Sequence, residues 1–156
     1  MLPKIDTPVY DTTLALSGET VKYRPFLVKE EKILMLASEE GDYKGMVNAC
    51  HQIVQNCTNG ELDEDMTMFD MQDVFIKIRS KSVGETSKIT IKCKSCEADN
   101  EVNVNLSEIG RNIKYPETLI PLTETVNIQM RYPTYFDILE NEIMFTENPS
   151  VTDILF

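Results

Sequence analysis

Between residues 7 and 28 polar and apolar side chains alternate, which predicts two strands with Leu14, Leu16, Val21 and Tyr23 facing inward and Ser17-Gly18 as the turn. An N-terminal β-hairpin is expected. Pro25 restricts Arg24 to an extended conformation, and charged residues 29–32 then lead into the dense apolar run Ile33, Leu34, Met35, Leu36 and Ala37. This run predicts a helix buried on most sides and ended by Gly41. Over 43–58 the period is cleanly helical, with Met46, Cys50, Ile53 and Cys57 in one stripe, Val47 and Val54 beside it, and a stop near Asn59-Gly60. A third helix is predicted over 70–81: Asp70 and Asp73 suit its positive N-terminal end, and Met71, Val74, Phe75 and Ile78 form its apolar stripe. Lys77, Arg79 and Lys81 complement the negative end of its dipole, and Gly84 supplies an exit.

After Gly84 the period changes to two. Ile89, Ile91 and Cys93 alternate with lysine and threonine, Val102, Val104 and Leu106 with asparagine, and Val126, Ile128 and Met130 with polar residues. The pattern predicts one small antiparallel sheet over 85–131, with an apolar face that the 43–58 or 70–81 helix would cover. Residues 133–156 read as an acidic amphipathic helical tail. Lys and Arg are absent after Arg131, and the sequence runs out on Ile154-Leu155-Phe156, apolar residues expected to dock on a partner or to lead into a longer chain. The fold class is α+β in a single domain over 1–156, mainly helical from 28 to 82.

Composition narrows the function more than the fold. With 156 residues and 42% hydrophobic content the chain can fill one core. A formal charge of -11 opposes binding to a phosphate backbone, so nucleic acid is excluded as a ligand class. No apolar run approaches the roughly 20 residues that cross a bilayer, and the first residues lack the basic-then-apolar order of a signal peptide, so a cytoplasmic protein is expected. Its four cysteines are then thiols or metal ligands rather than disulfides.

One motif carries recognisable chemistry. Cys93-Lys94-Ser95-Cys96 is a CxxC in a turn between strands, a spacing that points two thiolates at one zinc ion. Zinc binding by Cys93 and Cys96, a degenerate zinc-ribbon turn, and a site completed by another chain all fit this spacing. A thioredoxin-like role does not, since that motif opens a helix after a parallel strand. Cys50 and Cys57 lie about 10 Å apart along a helix, whereas two sulfurs on one zinc sit near 4 Å, so at most one could join. Both belong to the apolar stripe, where a cysteine behaves as a small hydrophobe. The single histidine, His51, has no second imidazole with which to form a dyad, and neither a nucleophile motif nor a phosphate-binding glycine loop is present. Met66, Met68 and Met71 suit either an adaptable surface or the core, and the acidic run 61–65 reads as a solvated loop.

Four segments together resemble a known family. Tyr23-Arg24-Pro25-Phe26-Leu27-Val28-Lys29-Glu30-Glu31-Lys32, the 48–57 helix, the stretch from Phe75 through Arg79 and Lys81 to Glu85, and the lone Cys93-x-x-Cys96 occur in the order found in the baseplate hub subunit family of T-even-type contractile-tailed bacteriophages, over about residues 7–145. The resemblance implies a late viral protein without enzymatic activity, made in the host cytoplasm. It would help to assemble the tail baseplate hub, as a virion component or as an assembly factor. Implied partners are other hub and tail proteins, with self-association also open. Arg24, Phe26, Lys29, Glu30, Arg79 and Lys81 match the family's segments and are expected to define the fold or touch partners, as are the terminal Leu155 and Phe156. Members of the family continue into a further helical region. The alternative reading is a small zinc-ribbon adaptor organised by Cys93 and Cys96.

Overall fold

The computed structural model describes residues 7–14, 16–62, 66–109 and 117–140. The order is β1 (Tyr10–Thr13), β2 (Thr20–Tyr23), α1 (Val28–Glu40), α2 (Tyr43–Cys57), α3 (Met68–Ser82), β3 (Thr86–Lys92), β4 (Asp99–Asn105), β5 (Leu119–Pro121), β6 (Asn127–Gln129) and α4 (Tyr135–Glu140), with a short 3-10 turn at Leu106–Glu108. This is an α+β fold. The expected first hairpin forms with Tyr10 opposite Tyr23 and Thr13 opposite Thr20, and it buries Leu14, Val21 and Tyr23.

The core lies between that hairpin and the facing stripes of α2 and α3. Val47, Ile53, Val54 and Cys57 from α2 meet Met68, Met71, Val74 and Ile78 from α3, and Tyr135 closes one end. Ile53, Val54, Val74 and Ile78 have no solvent exposure, as their 3.6-residue spacing requires of a covered face. Met66, Met68 and Met71 are all buried, so they pack the core rather than present a surface. Leu62 is also buried beside the acidic loop, whose residues 63–65 lie outside the described residues.

Local chemistry fixes the helix ends. Asp42 caps α2 by accepting hydrogen bonds from the backbone N–H groups of Lys44 and Gly45, and α1 ends at Gly41 in the left-handed region, φ 66°, where glycine avoids a Cβ clash. α3 begins two residues before the predicted 70–81 span because Thr67 is its N-cap, accepting from the Asp70 N–H. Asp70 is buried and accepts in turn from the Leu16 N–H and the Thr67 hydroxyl. Replacing Asp42 with alanine strips two N–H partners from α2 and is expected to lower stability by about 1 kcal/mol, measured by urea unfolding.

Two expectations are corrected. α1 is not buried on most sides: Val28, Met35 and Leu36 are exposed, and its buried positions are Glu30 and Ala37. A dense apolar run has no period, so it cannot tell which side is covered. Nor do the strands after α3 form one sheet. β3 pairs antiparallel with β4, and β5 with β6, as separate two-stranded sheets. The helical stripes do not cover their apolar faces, since Ile89, Ile91, Val102, Ile120, Val126, Ile128 and Met130 are all exposed. The stripes are instead spent on each other and on β1 and β2. In the acidic tail only α4 is described; Leu155, Phe156 and the rest of 141–156 lie outside the described residues.

Candidate functional site

The segment after β2 forms a junction between helices. The Arg24 guanidinium donates to Glu30 Oε1 at 3.0 Å, to the Asn56 carbonyl at 3.1 Å and to the Pro25 carbonyl at 3.0 Å, while its backbone N–H reaches the Cys57 carbonyl. Glu30 is fully buried, and its second oxygen accepts from the Leu27 N–H at 2.8 Å. Lys29 lies 3.3 Å from the same carboxylate but keeps most of its side chain in solvent. The Phe26 N–H donates to the Ser82 hydroxyl, which donates to the Ile78 carbonyl. Thus the start of α1 is tied to the C-terminal ends of both α2 and α3. Burial alone would raise the Glu30 pKa; the hydrogen bonds from Arg24, Leu27 and Lys29 outweigh it and hold the group below its ordinary 4.5.

Among the residues expected to define the fold or touch partners, Arg24 and Glu30 therefore hold the fold from inside. Phe26 is half-buried against the core, and Lys29 is exposed. Arg79 directs one guanidinium nitrogen to Ser87 on β3 at 3.5 Å, and Lys81 pairs with Glu85 at 2.6 Å and lies over the Tyr10 ring. Together they join the end of α3 to both flanking hairpins.

A second junction has no signal in the sequence. The Tyr135 ring stacks on His51 at 4.0 Å and nearly parallel, and its hydroxyl donates to Asn48 Oδ1. α4 is thereby fixed on α2 across 84 residues of chain. Its start is braced by Asp137, which accepts from the Thr134 N–H and hydroxyl and pairs with Arg131. Arg131 is the first cause, and the Thr134 bonds the next, of an Asp137 carboxyl held far below the usual range. The Met68 N–H donates to the Pro133 carbonyl, joining the start of α3 to the same corner.

The Cys93/Cys96 turn caps the β3–β4 hairpin. The Cys93 N–H donates to the Ala98 carbonyl and the Glu97 N–H to the Cys93 carbonyl, and Glu97 adopts φ 57°. The backbone N–H groups of Ser95 and Cys96 and the Cys96 thiol lower the Cys93 pKa, so the turn favours a thiolate. Cys96 is exposed and Cys93 half-buried. The helical cysteines differ in kind. Burial raises the Cys57 thiol to about 11 and also raises Cys50, which makes both poor ligands.

Among the described residues no group of three or more His, Cys, Asp or Glu side chains is placed to hold a metal. A mainly apolar cavity of about 240 Å³ between α2 and α3 is lined by Tyr43, Met46, Cys50, Met71, Gln72 and Phe75 among others. No described helix is long and apolar enough to cross a membrane. Large apolar side chains are exposed as well: Val28, Met35 and Leu36 on α1, and those on one face of each later hairpin.

Comparison with curated proteins and with solved structures gives no match. Residues 7–155 match the family described as T4 bacteriophage base plate protein, a span that includes both junctions, all three hairpins and the CxxC turn. With nearly its whole length matched, this chain belongs to that family of phage baseplate proteins.

Proposed function

We propose that this protein is a non-enzymatic component of the baseplate hub, made in the host cytoplasm and joined to other hub and tail proteins through non-covalent contacts. The observation that carries the reading is the family match over residues 7–155. The surface supports it. Exposed Val28, Met35 and Leu36, with Lys32 and Glu39 between them, give α1 an outer strip of mixed apolar and charged side chains, in a chain whose charge of -11 favours basic partner surfaces. Arg24 and Glu30 serve this function indirectly, by fixing the start of the helix that carries the strip. Lys29 on its first turn and the terminal Leu155 and Phe156 are further contact candidates.

Co-purification of the tagged chain with the hub proteins of its phage tests the reading. A stable complex is expected, together with recovery of the protein from purified tails or from hub intermediates by mass spectrometry. A chain that binds none of the hub proteins and is found in neither preparation would refute it. The double replacement Met35→Glu with Leu36→Glu is expected to reduce recovery of the complex at least tenfold. Thermal unfolding should hardly change, because both side chains are more than half exposed.

A further inference from the structure

We propose that the Cys93/Cys96 turn is half of a structural zinc site with four thiolates, completed by the same turn of a second copy of this chain. Three observations lead there. First, the two thiols sit together at the tip of the β3–β4 hairpin, in a turn closed by the Cys93 N–H to the Ala98 carbonyl and the Glu97 N–H to the Cys93 carbonyl, with Glu97 in a left-handed conformation.

Second, the other two ligands have to come from outside the chain. A closed zinc site takes four ligands, most often sulfur or imidazole. All four cysteines and the one histidine of the sequence lie among the described residues. Cys57 is sealed in the core beside Arg24, Cys50 lines the cavity between α2 and α3, and His51 is stacked under Tyr135. No third soft ligand stands near the turn.

Third, the hairpin suits a copy of itself. The β3–β4 register places Ile89 opposite Val102 and Ile91 opposite Asn100, so Ile89, Ile91 and Val102 share the face that continues to Cys93. That face is exposed, although a two-stranded sheet is only marginally stable in water without a covering layer. Charge does not oppose the contact. Lys88, Lys92 and Lys94 balance Glu97, Asp99 and Glu101, which makes the hairpin neutral within a chain of net charge -11. A two-fold axis along the hairpins would set the two apolar faces against each other and bring the two turns together.

The proposal goes beyond the baseplate assignment and does not rest on it. The test uses the full chain, purified under reducing conditions without chelator and supplied with zinc, with metal content and molar mass measured on the same sample. One zinc per two chains in a dimer is expected, and a chelator should return a monomer. Cobalt in place of zinc should give the intense absorption of a tetrathiolate centre. Cys93→Ser and Cys96→Ser should each weaken zinc binding at least tenfold and yield monomers, with helical circular dichroism preserved. Should either variant fail to fold, the stoichiometry of the unaltered chain decides alone. A monomer with one zinc per chain, a dimer indifferent to chelator, or a chain that binds no zinc without another protein would each overturn the proposal.

Discussion

Replacing Arg24 with alanine is expected to destabilise the protein by about 3 kcal/mol near neutral pH, measured by urea unfolding. The variant strands the carboxylate of Glu30, which has no solvent exposure, and removes the donor to the Asn56 carbonyl. The cost stays at the low end for breaking a buried pair because Lys29 remains 3.3 Å away. The pH dependence carries a sign. Glu30 has a folded pKa below its ordinary 4.5, so its contribution is fully present above that value and is lost as pH falls through the folded pKa. Without Arg24, burial dominates and the carboxyl protonates more readily. The stability gap between the two proteins should therefore be widest at neutral pH and narrow below about 4.5. A gap unchanged down to strongly acidic pH would contradict the internal role given to this pair.

The second large effect is expected at the centre of the core. Ile53 has no exposure and sits where α2 meets α3, so Ile53→Ala leaves a cavity that packed neighbours on both helices cannot fill. A loss of about 2 to 5 kcal/mol is expected, visible as a fall in melting temperature of roughly 2 to 4 °C for each kcal/mol. Cys50→Ala, one turn earlier in the same stripe, should cost about 1 kcal/mol or less, because that side chain borders an open cavity. Equal losses at the two positions would mean that the cavity is closed in solution.

These two positions show what the sequence made legible. The stripe containing Ile53 follows from spacing alone, as do the first hairpin, α3 and the turn holding Cys93 and Cys96, because each is set by local periodicity or a local turn; α1 is announced by Pro25 before it and Gly41 after it. The Arg24 pair was half visible. Arg24 and Glu30 stand in the segment that resembles the phage family, and Glu30 lies three residues past the helix cap, where an acid reaches back to the backbone. With Leu27 at the cap position, the usual polar signal was missing.

Non-local features were not legible. Alternation in Ile89, Val102 and Ile128 identifies a face but not its pairing partner, so one sheet was expected where two separate hairpins form. The stacking of Tyr135 on His51 joins residues 84 positions apart with no pattern to announce it. The run from Ile33 to Ala37 points to burial, yet Met35 and Leu36 are more than half exposed, because a run without a period does not mark its covered side.

The wet face of the β3–β4 hairpin has a consequence for access. Lys88 lies 2.6 Å from Glu101 across the strands, and Lys92 stands opposite Asp99. A foreign strand sliding in alongside β3 would crowd these ions and strip water from them, whereas a body descending on Ile89, Ile91 and Val102 leaves them hydrated. The hairpin is thus guarded at its flank and open from above, so chance ribbon-like stacking is discouraged while a shaped neighbour can settle.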